Sequence, residues 1–219
     1  MLRGFTYVIE HMEDDDDISK TVPPWVNLEY AHMRTLAGSG SKVYFTNLSK
    51  SSAQNLETKF GSTKEDEAEA KCYTTSVLDL IKQELGGSLE KVCLLDPKAE
   101  KELSPEDGDG RFEWFLFGGI LGDDPPRDRT GELRVLGFPG RRLGPVQMTT
   151  DTALGVTKRV VQDKILLDKI DYIDYPTIRF NSKESVEMPF RYMTKESQPL
   201  LPPGMRELLH EDLNKSFDF

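Results

Sequence analysis

The sequence predicts an α/β protein, and three observations point there. Four short runs rich in β-branched and aromatic residues, FTYVIE at 5–10, KVYFTNL at 42–48, KVCLLDP at 91–97 and FEWFLFGGIL at 112–121, each give way to turn or charged residues, as buried strands do. Between them lie stretches whose apolar residues recur at helical spacing. Strand-like and helix-like segments alternate, which is the pattern of a parallel sheet built from βα units.

The elements follow in order. FTYVIE reads as the first strand, and the acidic run at 14–17 as a solvated loop. In WVNLEYAHMRTLA, Trp25, Val26, Leu28, Tyr30, Met33 and Leu36 make an amphipathic helix that Gly38 and Gly40 end. KVYFTNL is the second strand. Residues 49–70 are rich in Ser, Lys and Glu without clear periodicity, so the expectation there is a mobile or inserted segment. SVLDLIKQEL at 76–85 is a helix stopped by Gly86 and Gly87. KVCLLDP and FEWFLFGGIL are buried strands, with the turn PEDGDG between them. DRTGELRVL starts a short helix with Asp128 or Thr130 as cap, and FPGRRL is a short extended piece. Thr149 to Thr152 offer caps for a helix whose stripe is Ala153, Val156, Val160, Val161 and Ile165. A last strand is expected near 170–174. Residues 175–219, rich in Pro, Met and charge, read as a tail that wraps a single domain spanning 1–219.

Composition narrows the function. At 219 residues and 37% apolar content, the chain suits one sizeable core. A net charge of -10 disfavours free nucleic acid, whose phosphates demand a basic surface, and favours a basic peptide or protein. Cys72 and Cys93 have no metal-ligand spacing, so no metal site is expected and the chain reads as reduced and cytoplasmic. No signal or transit peptide is apparent at the N-terminus. No stretch approaches the roughly 20 apolar residues of a membrane span.

Ligands of open α/β sheets sit outside the carboxyl ends of strands, and three loops there are unusual. They are GGILGDDPPRDR at 118–129, GRRLGPVQ at 140–147 and QMTTDTA at 147–153. Gly118, Gly119 and Gly122 allow close backbone approach, and Pro125 and Pro126 stiffen the exit. Turn geometry alone also accounts for these glycines, and helix capping for Thr149, Thr150 and Asp151. The spacing is neither G-x-G-x-x-G nor a P-loop. Arg127, Arg129, Arg134, Arg141 and Arg142, interleaved with Asp123, Asp124, Asp128 and Glu132, read as a mutually paired network. His11, His32 and His210 show no triad or metal spacing, and His11 reads as a polar loop residue. Trp25 and Trp114 read as core.

Five blocks carry a family likeness: YVIEHMED, CLLDPKA, FLFGGILGDDPPRDRTGELR, RRLGPVQMTTDTA and IDYPTIRFNSKESVEMPFRY. Together they resemble the fungal SPOUT-fold protein arginine methyltransferases that modify a small-subunit ribosomal protein, the S-three protein. The likeness runs from Tyr7 to about Leu209 and departs at residues 14–19 and 49–70. It implies a SPOUT-type sheet with a C-terminal trefoil knot that holds S-adenosylmethionine. One cofactor wall would be Gly118, Gly119, Ile120, Leu121 and Gly122, another Arg142, Leu143 and Gly144, and the adenine-side loop Gln147, Met148, Thr149 and Thr150.

Arginine is protonated in water and must shed a proton to attack carbon, so a carboxylate that grips the guanidinium can also accept that proton. Glu10, Asp123 and Asp151 are the candidates, each with turn capping or an arginine pair as its alternative. An RNA methyltransferase and a catalytically silent ribosome-assembly module are the competing functions. The tail suggests a monomer.

Overall fold

The computed structural model describes residues 4–119, 128 and 130–215. Ile120, Leu121, Gly122 and Asp123, with Arg127 and Arg129, lie outside the described residues.

Six strands form one parallel sheet: β1 (Thr6–His11), β2 (Lys42–Thr46), β3 (Glu69–Cys72), β4 (Val92–Leu95), β5 (Trp114–Gly119) and β6 (Gly140–Arg141), in the order β3-β2-β1-β5-β4-β6. Central strands are apolar on both sides because helices cover both faces. Tyr7, Ile9, Phe45, Phe115 and Phe117 point to a core shared with α1 (Pro24–Ala37), α2 (Lys50–Phe60) and α5 (Thr150–Val161). Val8, Tyr44, Leu94, Trp114 and Leu116 point the other way, to α3 (Val77–Glu84) and α4 (Thr130–Arg134). The period of two along each strand thus decides which residues can meet which helix.

Residues 49–70 correct the expectation of a mobile segment. They hold α2, whose Ser49 side chain accepts the Ser52 N–H at 3.0 Å, and the start of β3. The helix buries only Ser52, Ala53, Leu56 and Phe60. That narrow stripe in a polar sequence, followed by an edge strand paired on one side, leaves little periodicity to read.

The tail is more structured than a wrapping coil. The strand expected near 170–174 is β7 (Tyr172–Asp174), but it lies outside the main sheet and four strands follow it: β8 (Thr177–Arg179), β9 (Ser185–Glu187), β10 (Arg191–Lys195) and β11 (Gln198–Pro199). β7, β10 and β11 form an antiparallel sheet, β8 and β9 a hairpin, and α6 (Met205–Lys215) ends the described chain. Tyr192 and Met193 of β10 are buried, and a Cβ at Gly155 would come within 2.4 Å of Met193 Cε. Glycine at 155 therefore lets the tail lie directly on α5. The Arg191 N–H donates to Gln147 O at 2.9 Å, which ties the tail to the chain just before that helix. Ile165, expected on the α5 stripe, falls beyond the helix end. No described helix is long and apolar enough to cross a membrane.

The arginine network is also rearranged. Arg134 does bond Asp128, but it grips Asp96 bidentately as well. Arg141 donates through Nε and Nη2 to Asp107, in the 3₁₀ turn Pro105–Gly108, with both partners buried. This pair anchors β6 and the loop that follows it. Removing one partner of a buried ion pair costs about 3–5 kcal/mol. Asp107→Ala should lose stability of that order in urea unfolding with an unchanged m-value; a midpoint equal to wild type would show that the pair is not holding the loop.

Candidate functional site

Two cavities flank the start of α5. The first, about 250 Å³, opens outside the carboxyl ends of β4 and β5. Its described lining includes Asp96 and Pro97 after β4, Phe117 and Gly118 of β5, Leu143, Gly144, Gln147 and Met148 from the loop after β6, and Thr150 of α5. The loop turns at Gly144, whose φ of +89° suits glycine. Asp96 is the one charged side chain among the described residues lining this cavity. It is already gripped by Arg134 and also accepts the Lys98 N–H. The space therefore suits a ligand with an apolar ring whose polar edges meet backbone groups, as a nucleoside has.

The second cavity, about 380 Å³, lies between α1, the β9–β10 connection and α6. Trp25, Met188, Pro189, Met205 and Leu208 supply apolar walls. Glu29, Asp151 and Tyr192 also line it, and they are only 5%, 0% and 1% exposed. One oxygen of each, Glu29 Oε2, Asp151 Oδ1 and Tyr192 Oη, has no hydrogen-bond partner. Buried polar atoms are nearly always satisfied, so three orphans on residues that line one cavity stand out. The other Asp151 oxygen, Oδ2, meets His32 Nδ1 at 2.7 Å.

The two cavities share one chain segment. Met148 and Thr150 line the first, Thr149 and Asp151 the second. Thr149 is the extended N-cap of α5, so successive side chains turn to opposite sides. The run QMTTD thus forms a partition one residue thick.

Electrostatics make the second cavity electron-rich. Burial pushes the Glu29 carboxyl well above its usual range and the Asp151 charge adds to this, while a bond from the Asp151 N–H works against both. Burial, and then the charges of Asp151 and Glu29, raise the Tyr192 phenol. A planar guanidinium brings five N–H donors and a positive charge, which matches this floor in both respects.

The sequence-predicted residues divide accordingly. Gly118, Leu143, Gly144, Gln147, Met148 and Thr150 meet at the first cavity, and Thr149 and Asp151 at the second. Gly119 lines neither; a Cβ there would sit 2.8 Å from Glu10 O, so its missing side chain serves the packing of β5 on β1. Arg142 turns away to donate to the carbonyls of Ala99 and Glu100 and to pair with Glu102. Glu10 points to the α3 face, where it accepts from Thr46 Oγ1 at 2.5 Å and from the Val77 N–H at 2.9 Å. Glu10 caps α3 and reaches neither cavity. His11, read as a loop residue, ends β1, is buried and bonds the Tyr30 hydroxyl at 2.7 Å.

Sequence reasoning missed Glu29, His32 and Tyr192. The first two had a signal: they stand three apart in a helix, beside the apolar positions 26, 30 and 33, where solvated residues do not belong. Tyr192 had none, because nothing local says which helix its short strand meets.

A parallel sheet of this order, with a nucleoside-shaped cleft at its strand ends, is the SPOUT type of methyltransferase fold. The chain belongs to the SFM1-like protein arginine N-methyltransferase family, which residues 6–216 match. It is 41% identical over 222 residues to protein arginine N-methyltransferase SFM1 of Saccharomyces cerevisiae, covering 97% of each chain. The crystal structure of the yeast enzyme complexed with SAM superposes with a TM-score of 0.79 at 38% identity, over 95% of this chain and 91% of that one. The complex with SAH gives 0.75 at 38% identity, over 93% and 94%.

Glu29 titrates higher in the folded chain than the usual glutamate value near 4.3. The folded state then holds the extra proton, so its stability falls as pH rises above that value and through the folded pKa. Glu29→Gln does not titrate and keeps an acceptor for the Asp151 N–H. Its melting temperature relative to wild type should rise between pH 4 and pH 8. A gap constant across that range would contradict the buried-acid assignment.

Proposed function

We propose that the protein transfers a methyl group from S-adenosylmethionine, seated in the first cavity, to an arginine side chain in the second, and that the arginine belongs to a basic protein of the small ribosomal subunit. The observation that carries this reading is the set of unpartnered buried oxygens on Glu29, Asp151 and Tyr192, three residues that line one cavity. When bound, the cofactor supplies an electrophilic methyl group on a sulfonium.

The chain's own residues do the rest. Gly118 and Gly144 leave room for a nucleoside against the backbone, with Leu143 and Met148 as apolar contacts. Glu29 and Asp151 hold the guanidinium and fix the orientation of its nitrogens, which is a large part of catalysis when two reactants must align. As the N–C bond forms and the methyl–sulfur bond breaks, leaving the neutral thioether, the attacking nitrogen would release its proton to one of these carboxylates, which act as general base in place of Glu10. The apolar walls of α6 and the β9–β10 connection lower the polarity around the floor, which strengthens charge-assisted bonds there.

A net charge of -10 favours a basic protein and opposes polyanionic RNA. A silent binding module has no use for buried acids that each keep one oxygen unpartnered, which weakens a fold unless a ligand compensates it. The tail lies over the face of α1 and α5, which supports a monomer.

Incubation with labelled cofactor, small-subunit ribosomal proteins and ribosomal RNA should place label on an arginine of a basic protein. Asp151→Asn should lower that transfer by about a hundredfold, within the range of general-base catalysis, while calorimetric affinity for S-adenosylhomocysteine stays within about threefold. Label in RNA alone would contradict the proposal.

A further inference from the structure

Asp151 sits in the first turn of α5, and the terminal torsion of an aspartate is broad and two-fold. Left to itself, such a carboxylate can present either oxygen, at any of several tilts, to a ligand. Here one oxygen is taken. His32 reaches across the contact between α1 and α5, buried, and its Nδ1 lies 2.7 Å from Oδ2. Oδ1 is left without a partner, and Asp151 is among the residues that line the second cavity. His32 itself lines neither cavity.

We infer that His32 is the positioning residue of the transfer site: it binds Asp151 by Oδ2 so that Oδ1 is aimed at the arginine. The inference rests on the reading of the second cavity as the arginine site. A carboxylate is an acceptor, so the ring nitrogen that faces it carries the proton and donates. The groups around Asp151 explain why a donor is needed there. Glu29 and His32 face it from α1 and Tyr192 from β10, and Glu29 Oε2 and Tyr192 Oη are both unpartnered. His32 gives Asp151 a fixed donor at Oδ2.

The role predicts a separation of effects. In His32→Leu, cofactor contacts are untouched and a guanidinium still finds two acids, but the nitrogen to be methylated is no longer held in line. On the ribosomal protein that wild type labels, kcat should fall at least about tenfold while KM and S-adenosylhomocysteine affinity stay within about threefold. His32→Asn, whose Nδ2–H stands close to the position of Nδ1–H, should recover kcat to within about threefold of wild type. Should the leucine variant fail to fold by circular dichroism, His32→Gln, with its amide one methylene further out, takes its place and should fall clearly below the asparagine variant. A leucine variant with wild-type kcat, or an asparagine variant no better than leucine or glutamine, overturns the inference and leaves the arginine site standing. Failure of wild type to label any arginine overturns that underlying reading instead.

Discussion

The contact between α1 and the first turn of α5 is the constraint around which the rest of the site is arranged. It brings Glu29 and His32, three residues apart on one helix, against Asp151 on another, in a place with almost no solvent. Packing two acids side by side in such a place is unfavourable, and the fold offsets this with two hydrogen bonds: His32 to Asp151, and the Asp151 N–H to Glu29. What is not offset is the orphaned oxygen on each acid. In the proposed function, the stability given up by leaving these oxygens unsatisfied is regained when a cation binds them.

The remaining architecture serves that contact. The buried Arg141–Asp107 pair fixes β6, from which the chain runs through Gly144 into the partition at 148–151. The tail secures the same partition from the other side through the Arg191–Gln147 bond, and β10 delivers Tyr192 to the cavity floor. Bare backbone at Gly155 makes room for that strand. The two cavities thus lie on either side of one extended stretch whose alternate residues face opposite ways.

Much of this was legible in the sequence. The alternation of apolar runs and helical stripes placed the central strands and α1, α3 and α5, because a sheet covered on both faces must be apolar throughout. The loops at 118, 140 and 147 stood out because glycine and threonine at strand ends and helix starts have local causes. Residues 49–70 did not, since α2 hides four buried positions among polar ones. Glu10 was misjudged for a reason of parity: being at the end of a central strand does not say which face a residue meets, and position 10 shares the face of Val8, toward α3. The Arg142 side chain turns to Ala99, Glu100 and Glu102, and bare backbone at Gly119 lets β5 pack on β1. Tyr192 depends on a tertiary meeting between a late strand and an early helix, which no window of sequence contains.

The resemblance and the geometry contribute different parts of the account. Family membership bears on the kind of reaction, and the buried orphans bear on where the arginine goes. The central claim is that the guanidinium lies on the floor made by Glu29 and Asp151. A crystal structure of the protein with S-adenosylhomocysteine and an arginine peptide from its protein substrate tests it most directly. The account predicts the guanidinium within hydrogen-bond distance of Glu29 Oε2 and Asp151 Oδ1, with His32 still bonded to Oδ2. A guanidinium bound elsewhere, with those two oxygens facing ordered water, would contradict it.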